Sequence, residues 1–193
     1  LNVWDSEGVR YEEPKLKMMG IEAVKSSTPA PCRTMIKDAL KLMMSGTEDE
    51  VIDFIENARK EFKSLPPEQI AFPRTASNVR KYKSSSDIYV KGTPIHIRGA
   101  LLFNFYLKKK KLTNKYSAIE NGEKIKFIYL KKPNIIQENV LSFIQDFPTE
   151  FGLSQYIDYE LQFEKSFVYP LKAILDAIGW EVEKKVTLES FFS

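Results

Sequence analysis

One histidine and one cysteine, His96 and Cys32, occur in 193 residues. A lone cysteine excludes a disulfide framework and fits a reducing compartment. With one histidine there is no HExxH site, no histidine-rich metal cluster and no Cys/His zinc knuckle. Glycine is also sparse: among eight, the closest pair is Gly92 and Gly99. That spacing leaves no GxGxxG turn, no GxxxxGK[ST] phosphate cradle and no GxSxG nucleophile elbow. No apolar run nears the roughly 20 residues of a membrane span, and the chain opens without a charged leader and apolar h-region. It starts with Leu rather than Met, which reads as an excised or processed piece, soluble and intracellular.

Carboxylates are plentiful but badly grouped for chemistry. Two-metal catalysis needs acids converging on ions about 4 Å apart. The close sets are Asp5 with Glu7, Glu48-Asp49-Glu50, and Asp158 with Glu160. The middle set falls in the first turn of a helix, where acids oppose the helix dipole. His96, flanked by Ile95 and Ile97 and two residues before Arg98, reads as a structural or phosphate-facing side chain rather than a catalytic base. A complete active site is not expected here.

The net charge of +3 conceals an asymmetry. Between Val79 and Lys115, Arg80, Lys81, Lys83, Lys91, Arg98, Lys108, Lys109, Lys110, Lys111 and Lys115 face one acid, Asp87. Lys124, Lys126, Lys131 and Lys132 follow, whereas from Gln145 onward nine acids outnumber four lysines. A basic middle beside short hydrogen-bonding residues (Ser77, Asn78, His96) is the composition that phosphate contacts use. The competing interpretation is a solvated lysine face.

The hydrophobic pattern predicts an α+β fold, mainly helical. Residues 1–13 read as a strand or ribbon turning at Ser6-Glu7-Gly8. Ser26-Ser27-Thr28-Pro29 reads as a hydroxyl-capped helix entry, and Gly46 as that helix's C-terminal cap. Thr47 and Glu50 form a capping box for a helix burying Val51, Phe54, Ile55, Ala58 and Phe62, which ends before Pro66-Pro67. The two helices would pair as a hairpin. Residues 71–89 read as a connector, in which Thr75-Ala76-Ser77-Asn78 would cap a short basic helix. A helix from Thr93-Pro94 to about Lys109, strands over 124–130 and 139–144, and a helical stretch over 154–179 kinked or divided at Pro170 complete the pattern. The end of the chain, Leu188 followed by Phe191-Phe192, reads as an exposed apolar plug on a charged stem, the form of a peptide that docks in a partner's groove. Folding back onto the domain is the alternative.

Several runs together resemble family B DNA polymerases, in particular the replicative enzymes of T-even-type bacteriophages and their marine relatives. They are Asn2-Val3-Trp4-Asp5-Ser6-Glu7-Gly8, Glu13 through Glu22, Lys25-Ser26-Ser27-Thr28-Pro29, Ala76 through Tyr82, Pro94 through Gly99, Asn121 through Lys124, and Asp158-Tyr159 through Pro170. The resemblance implies the end of the palm (1–20, a palm-derived ribbon), a thumb (21–180) with a small β element, and a clamp-binding tail (181–193). It implies DNA contacts near the primer end from Lys15 and Lys17. Backbone contacts would come from Lys25, Ser26, Ser27, Thr28, Ser77, Asn78, Arg80, Lys81, His96 and Arg98. Leu188, Phe191 and Phe192 would engage the sliding clamp. Partners would be primer–template DNA, the clamp, and the upstream palm, fingers and exonuclease parts, in the cytoplasm of an infected bacterial host. The chain would be inactive alone, with no cofactor of its own and Mg2+ only at the active site of the complete polymerase. Lys108–Lys111 and Ile135 to Phe151 depart from the family pattern. Two alternatives stay open: a stand-alone nucleic-acid module, and a protein-interaction domain with solvated lysines. So does the choice between a natural half of a split polymerase and an excised fragment.

Overall fold

The structure, a computed structural model, describes residues 2–4, 6–15 and 25–183. Lys17, Leu188, Phe191 and Phe192 lie outside the described residues. The N-terminal ribbon forms as the pattern predicts: β1 (Asn2–Trp4) pairs antiparallel with β2 (Arg10–Lys15), with a shift of register between Asn2 and Trp4.

Helix α1 (Ala30–Ser45) does not use the hydroxyl cap read from its sequence. Its N-cap is Pro29, with no side-chain cap bond, and Thr28 is buried. Pro29 sets an extended approach (φ −54°, ψ 140°) and its carbonyl accepts from the Arg33 N–H at 3.1 Å, so the turn closes through the backbone. Gly46 is the C-terminal cap as expected, its N–H donating to the Leu42 carbonyl at 2.6 Å, but not in the left-handed conformation common at such caps. Its φ is −106°, outside the left-handed region. The glycine fits by size instead: a Cβ there would stand 2.8 Å from Glu50 Oε2 and 2.9 Å from the Leu42 carbonyl oxygen. That Glu50 carboxylate belongs to the capping box, in which Thr47 N–H donates to Oε2 at 2.7 Å and Glu50 N–H to Thr47 Oγ1 at 3.3 Å. The box opens α2 (Glu48–Ser64), which packs on α1 as the expected hairpin and buries Val51, Ile55, Ala58 and Phe62.

After the short α3 (Pro67–Ile70), the stretch read as a connector contains a strand. β3 (Phe72–Thr75) pairs antiparallel with β4 (Lys124–Tyr129), and β4 with β5 (Val140–Phe143), in the order β3-β4-β5. Pro73, which cannot donate to a ladder, is tolerated because β3 is an edge strand. The expected short basic helix is a 3-10 turn, Val79–Tyr82; Asn78 before it is left-handed (φ 58°) and provides no side-chain cap. α4 (Ile95–Lys109) lies across β5, burying Ile97, Ala100, Leu101, Leu102, Phe103 and Leu107.

The 154–179 region is less regular than one divided helix. A 3-10 turn (Ser154–Tyr156) precedes α5 (Tyr159–Phe163), a π-helical turn (Glu164–Val168) and α6 (Tyr169–Ile178). A proline in a straight helix removes a donor and clashes with the carbonyl four residues back. Here the widened turn ends at Val168, two residues before Pro170, whose missing N–H would interrupt a regular ladder at this point. Buried Gln162 ties this region inward: its Nε2 donates to the Ile70 carbonyl at 2.8 Å, and its Oε1 accepts from the Tyr129 N–H at 2.9 Å. α1, α2, α5 and α6 share one apolar core with the sheet and α4. No helix among the described residues is long and apolar enough to cross a membrane. The whole is α+β and mainly helical.

Candidate nucleic-acid interface

Alternation along a strand puts Phe72 and Arg74 of β3 on one face of the sheet. Their cross-strand partners Phe127 and Ile125 share that face, as does Tyr129, two residues beyond Phe127. The Arg74 guanidinium sits 5.3 Å from the Phe127 ring centroid and 5.9 Å from that of Phe72. One of its nitrogens donates to the carbonyls of Ser27 (2.8 Å) and Pro73 (2.7 Å). Arg74 thereby fastens the loop carrying Ser26 and Ser27 to the sheet edge. Burial lowers the pKa of this guanidinium, and no carboxylate pairs with it among the described residues.

His96 stands at the start of α4, its ring 6.4 Å from that of Phe127. Burial, and then the Arg74 charge, push its pKa below the ordinary value, which favours the neutral imidazole. Tyr129 is the common neighbour of the surrounding cations. The Lys165 ammonium lies 5.4 Å over its ring, and its phenol, raised by burial, is drawn back down by Arg74 and Arg98. Arg74, His96, Arg98 and Lys165 therefore belong to one electropositive neighbourhood that also includes the Ser26–Ser27 loop.

A second cluster adjoins the end of β3. Ser77 follows Arg74 by three residues, roughly 10 Å along extended chain. Ala76 is stitched to the opposite turn, donating to the Glu123 carbonyl at 2.8 Å and accepting from Gly122 N–H at 2.6 Å, while Asn78 N–H donates to Asn121 Oδ1. The 3-10 turn then leaves Arg80 and Lys81 exposed. A cavity of about 380 Å³ beside them is lined by Arg80, Lys83, Asn104, Phe105, Lys108 and Asn121, among others. Lys108 thus joins the second cluster from the far end of α4. Lys109 packs against Phe105 and Tyr106, and both cations face the carbonyl end of the helix dipole.

The expected contact residues are not equivalent. Ser26, Ser77, Asn78, Arg80 and Lys81 are exposed; Ser27, His96 and Arg98 are half-buried. Thr28, at 8% exposure, is poorly placed for a phosphate. Lys25 is exposed at the loop's start, and Lys15 ends β2. Arg98 is the most constrained. Its guanidinium lies 3.4 Å from Glu138 Oε2 and 5.8 Å from the Tyr89 ring, and Tyr89 donates its phenol to Glu138 Oε1 at 2.5 Å. Sequence reasoning overlooked Arg74, Tyr129, Glu138 and Lys165. The alternation Phe72, Arg74 was a signal for the first, obscured by Pro73. Among the described residues no three His, Cys, Asp or Glu side chains group together closely enough to hold a metal ion.

An α+β, mainly helical chain with a cationic face and the motif order of a phage polymerase finds its counterparts among phage DNA polymerases. It is 34% identical over 197 residues to the DNA-directed DNA polymerase of Escherichia phage RB69, and 29% identical over 196 residues to that of Enterobacteria phage T4. Each match covers the whole chain but 21% of the relative's length. No family model matches. The chain is thus similar along its whole length to about a fifth of each of these two phage DNA polymerases, in line with the resemblance carried by its motifs.

Proposed function

We propose that the chain is the C-terminal part of a replicative family B DNA polymerase, the end of the palm (1–20) and the thumb (21–180). Its work is to grip primer–template duplex behind the primer terminus, through phosphates and the minor groove. The observation that carries this reading is the convergence of Arg74, Arg98 and Lys165 around Tyr129, with His96 beside Arg74, in a chain similar over its full length to parts of two phage polymerases.

The physical contribution is positioning. Holding the duplex fixed presents the primer end to a catalytic centre in the upstream part of the polymerase, so the reaction is spared the entropy of finding that geometry. Phosphate contacts carry no sequence information, which suits an enzyme that must copy any template. The exposed hydroxyls and cations (Ser26, Ser77, Asn78, Arg80, Lys81) supply short-range contacts, with Lys25 beside them and Lys15 and Lys17 nearest the primer end. Residues 181–193 form a tether whose Leu188, Phe191 and Phe192 dock on the sliding clamp, raising the effective concentration of polymerase at the template. The setting is the cytoplasm of an infected bacterial host.

The test is complementation. Mixing the chain with a separately made palm, fingers and exonuclease fragment should increase primer extension, and removing residues 184–193 should abolish the clamp's effect on product length while leaving duplex affinity intact. Extension unaffected by the chain contradicts the proposal and leaves a stand-alone nucleic-acid module as the reading.

A further inference from the structure

Glu138 is an acid placed inside a basic neighbourhood. The loop between β4 and β5 holds it there. Asn134, buried at 4% exposure, donates from Nδ2 to the carbonyls of Lys131 (2.8 Å) and Glu138 (2.6 Å), and its Oδ1 accepts from the Ile136 N–H at 3.0 Å. The backbone of Glu138 is therefore anchored from within its own loop. Its carboxylate has two partners on two other segments: the Tyr89 phenol at 2.5 Å, from the stretch after the 3-10 turn, and the Arg98 guanidinium at 3.4 Å, from the first turns of α4. The Tyr89 segment is itself held, since Val90 N–H donates to the Tyr82 carbonyl at 3.0 Å. Arg98 and Glu138 side chains are 23% and 19% exposed.

A carboxylate and a phosphodiester present the same thing to a guanidinium: two anionic oxygens in one plane, able to accept two parallel N–H bonds. The observed contact is not the full bidentate form. A single Nη1 to Oε2 distance of 3.4 Å is long for a charge-assisted bond, whose usual range is about 2.7–2.9 Å. The second Glu138 oxygen is taken by Tyr89. Arg98 is thus held by its charge and by the Tyr89 ring rather than by a tight fork, and it shares the Tyr129 neighbourhood with the cations Arg74 and Lys165.

We infer that Glu138 is an internal competitor for the phosphate subsite of Arg98: the DNA backbone displaces its carboxylate from the guanidinium, and the grip is weaker by the strength of the contact given up. This rests on the duplex-binding reading proposed above. A thumb that must release and re-grip at every step works with modest individual contacts, and an acid built beside one of the cations limits that contact without removing it. The Tyr89 phenol gives the displaced carboxylate a partner to keep.

The experiment uses the 193-residue chain and a labelled primer–template duplex, with binding followed by anisotropy across a salt series. E138Q preserves shape and the oxygen that accepts from Tyr89 but removes the charge. It should bind about 3–10-fold more tightly, with a salt slope of the parent's magnitude or steeper by up to ~1 counterion. In an R98Q background the same change should have no effect, because the competition has lost its object. Parent binding that E138Q leaves unchanged or weakens overturns the inference and makes Glu138 a positioning residue for Arg98. Failure of the parent and both variants to bind, with the upstream polymerase fragment added as well, overturns the duplex-binding reading and this inference with it. Should E138Q unfold, NMR on the unmodified chain decides: at saturating duplex the Arg98 Nε–H and Glu138 carboxyl carbon resonances should both move, and a stationary Glu138 carboxyl overturns the competition.

Discussion

Gly99 of α4 is pressed against Ser142 of β5 so closely that a Cβ on Gly99 would stand 2.4 Å from Ser142 Oγ and 2.7 Å from the Ser142 nitrogen. The Ser142 hydroxyl also donates to the His96 carbonyl at 2.8 Å, so one serine both receives the helix and fixes its first turn. Because His96 and Arg98 flank that contact, the depth to which α4 sinks onto the sheet sets where they stand.

G99A should therefore destabilise the chain by about 1–3 kcal/mol, the usual range for overpacking a close contact. Chemical denaturation measures this. S142A should relieve only part of the loss in the double variant, because the Ser142 backbone nitrogen remains in the way.

T47A removes the side-chain half of the capping box and should cost about 0.5–2 kcal/mol in the same assay. The Glu50 carboxylate would still accept from the residue 47 N–H, which places the expected loss toward the lower part of that range.

Cys32 is buried, and desolvation pushes its thiol up to about 11, with the hydrogen bond to Ser166 Oγ (3.3 Å) acting the other way. It should resist a thiol reagent at pH 8 in the folded chain and react promptly in denaturant. A folded pKa above the unfolded 9.0 means that this contribution to stability is complete below pH 9 and lost as pH rises toward 11. Melting curves between pH 8 and 10.5 read that loss, and C32A should flatten it.

His96 gives the opposite slope on the acid side. Its folded pKa is depressed below 6.5, so the unfolded chain binds the proton more readily and stability falls as pH drops below that value. Comparing the parent with H96Q between pH 7 and 5 isolates this contribution, and the variant should lose less stability across the range.

What was legible in the sequence was what neighbours decide. Thr47 and Glu50 announce their helix because both halves of the box lie within three residues, and the Lys124–Tyr129 strand is apolar enough to stand out by itself. β3 was not legible, because Pro73 and Arg74 look unlike a strand until β4, fifty residues later, supplies the ladder. The hydroxyl cap at Ser26–Thr28 was over-read for a related reason: local preference favours it, but the chain buries Thr28 and uses the Pro29 carbonyl. The candidate site follows the same rule. Arg80 and Lys81 declare themselves in a basic run, whereas Arg74 acquires its meaning from Ser27, Phe127 and His96, and Arg98 from a glutamate forty residues away.

The proposed grip of this face on duplex backbone is independent of sequence. The most direct measurement is anisotropy of the chain with a labelled primer–template, and with a duplex of scrambled sequence, across a salt series. Equal affinity for the two is expected, with a steep fall with salt equivalent to roughly four or more released counterions. R74Q should weaken both alike. Binding that distinguishes the two sequences, that ignores salt, or that is absent at low salt even with the upstream polymerase fragment present would contradict the proposed grip.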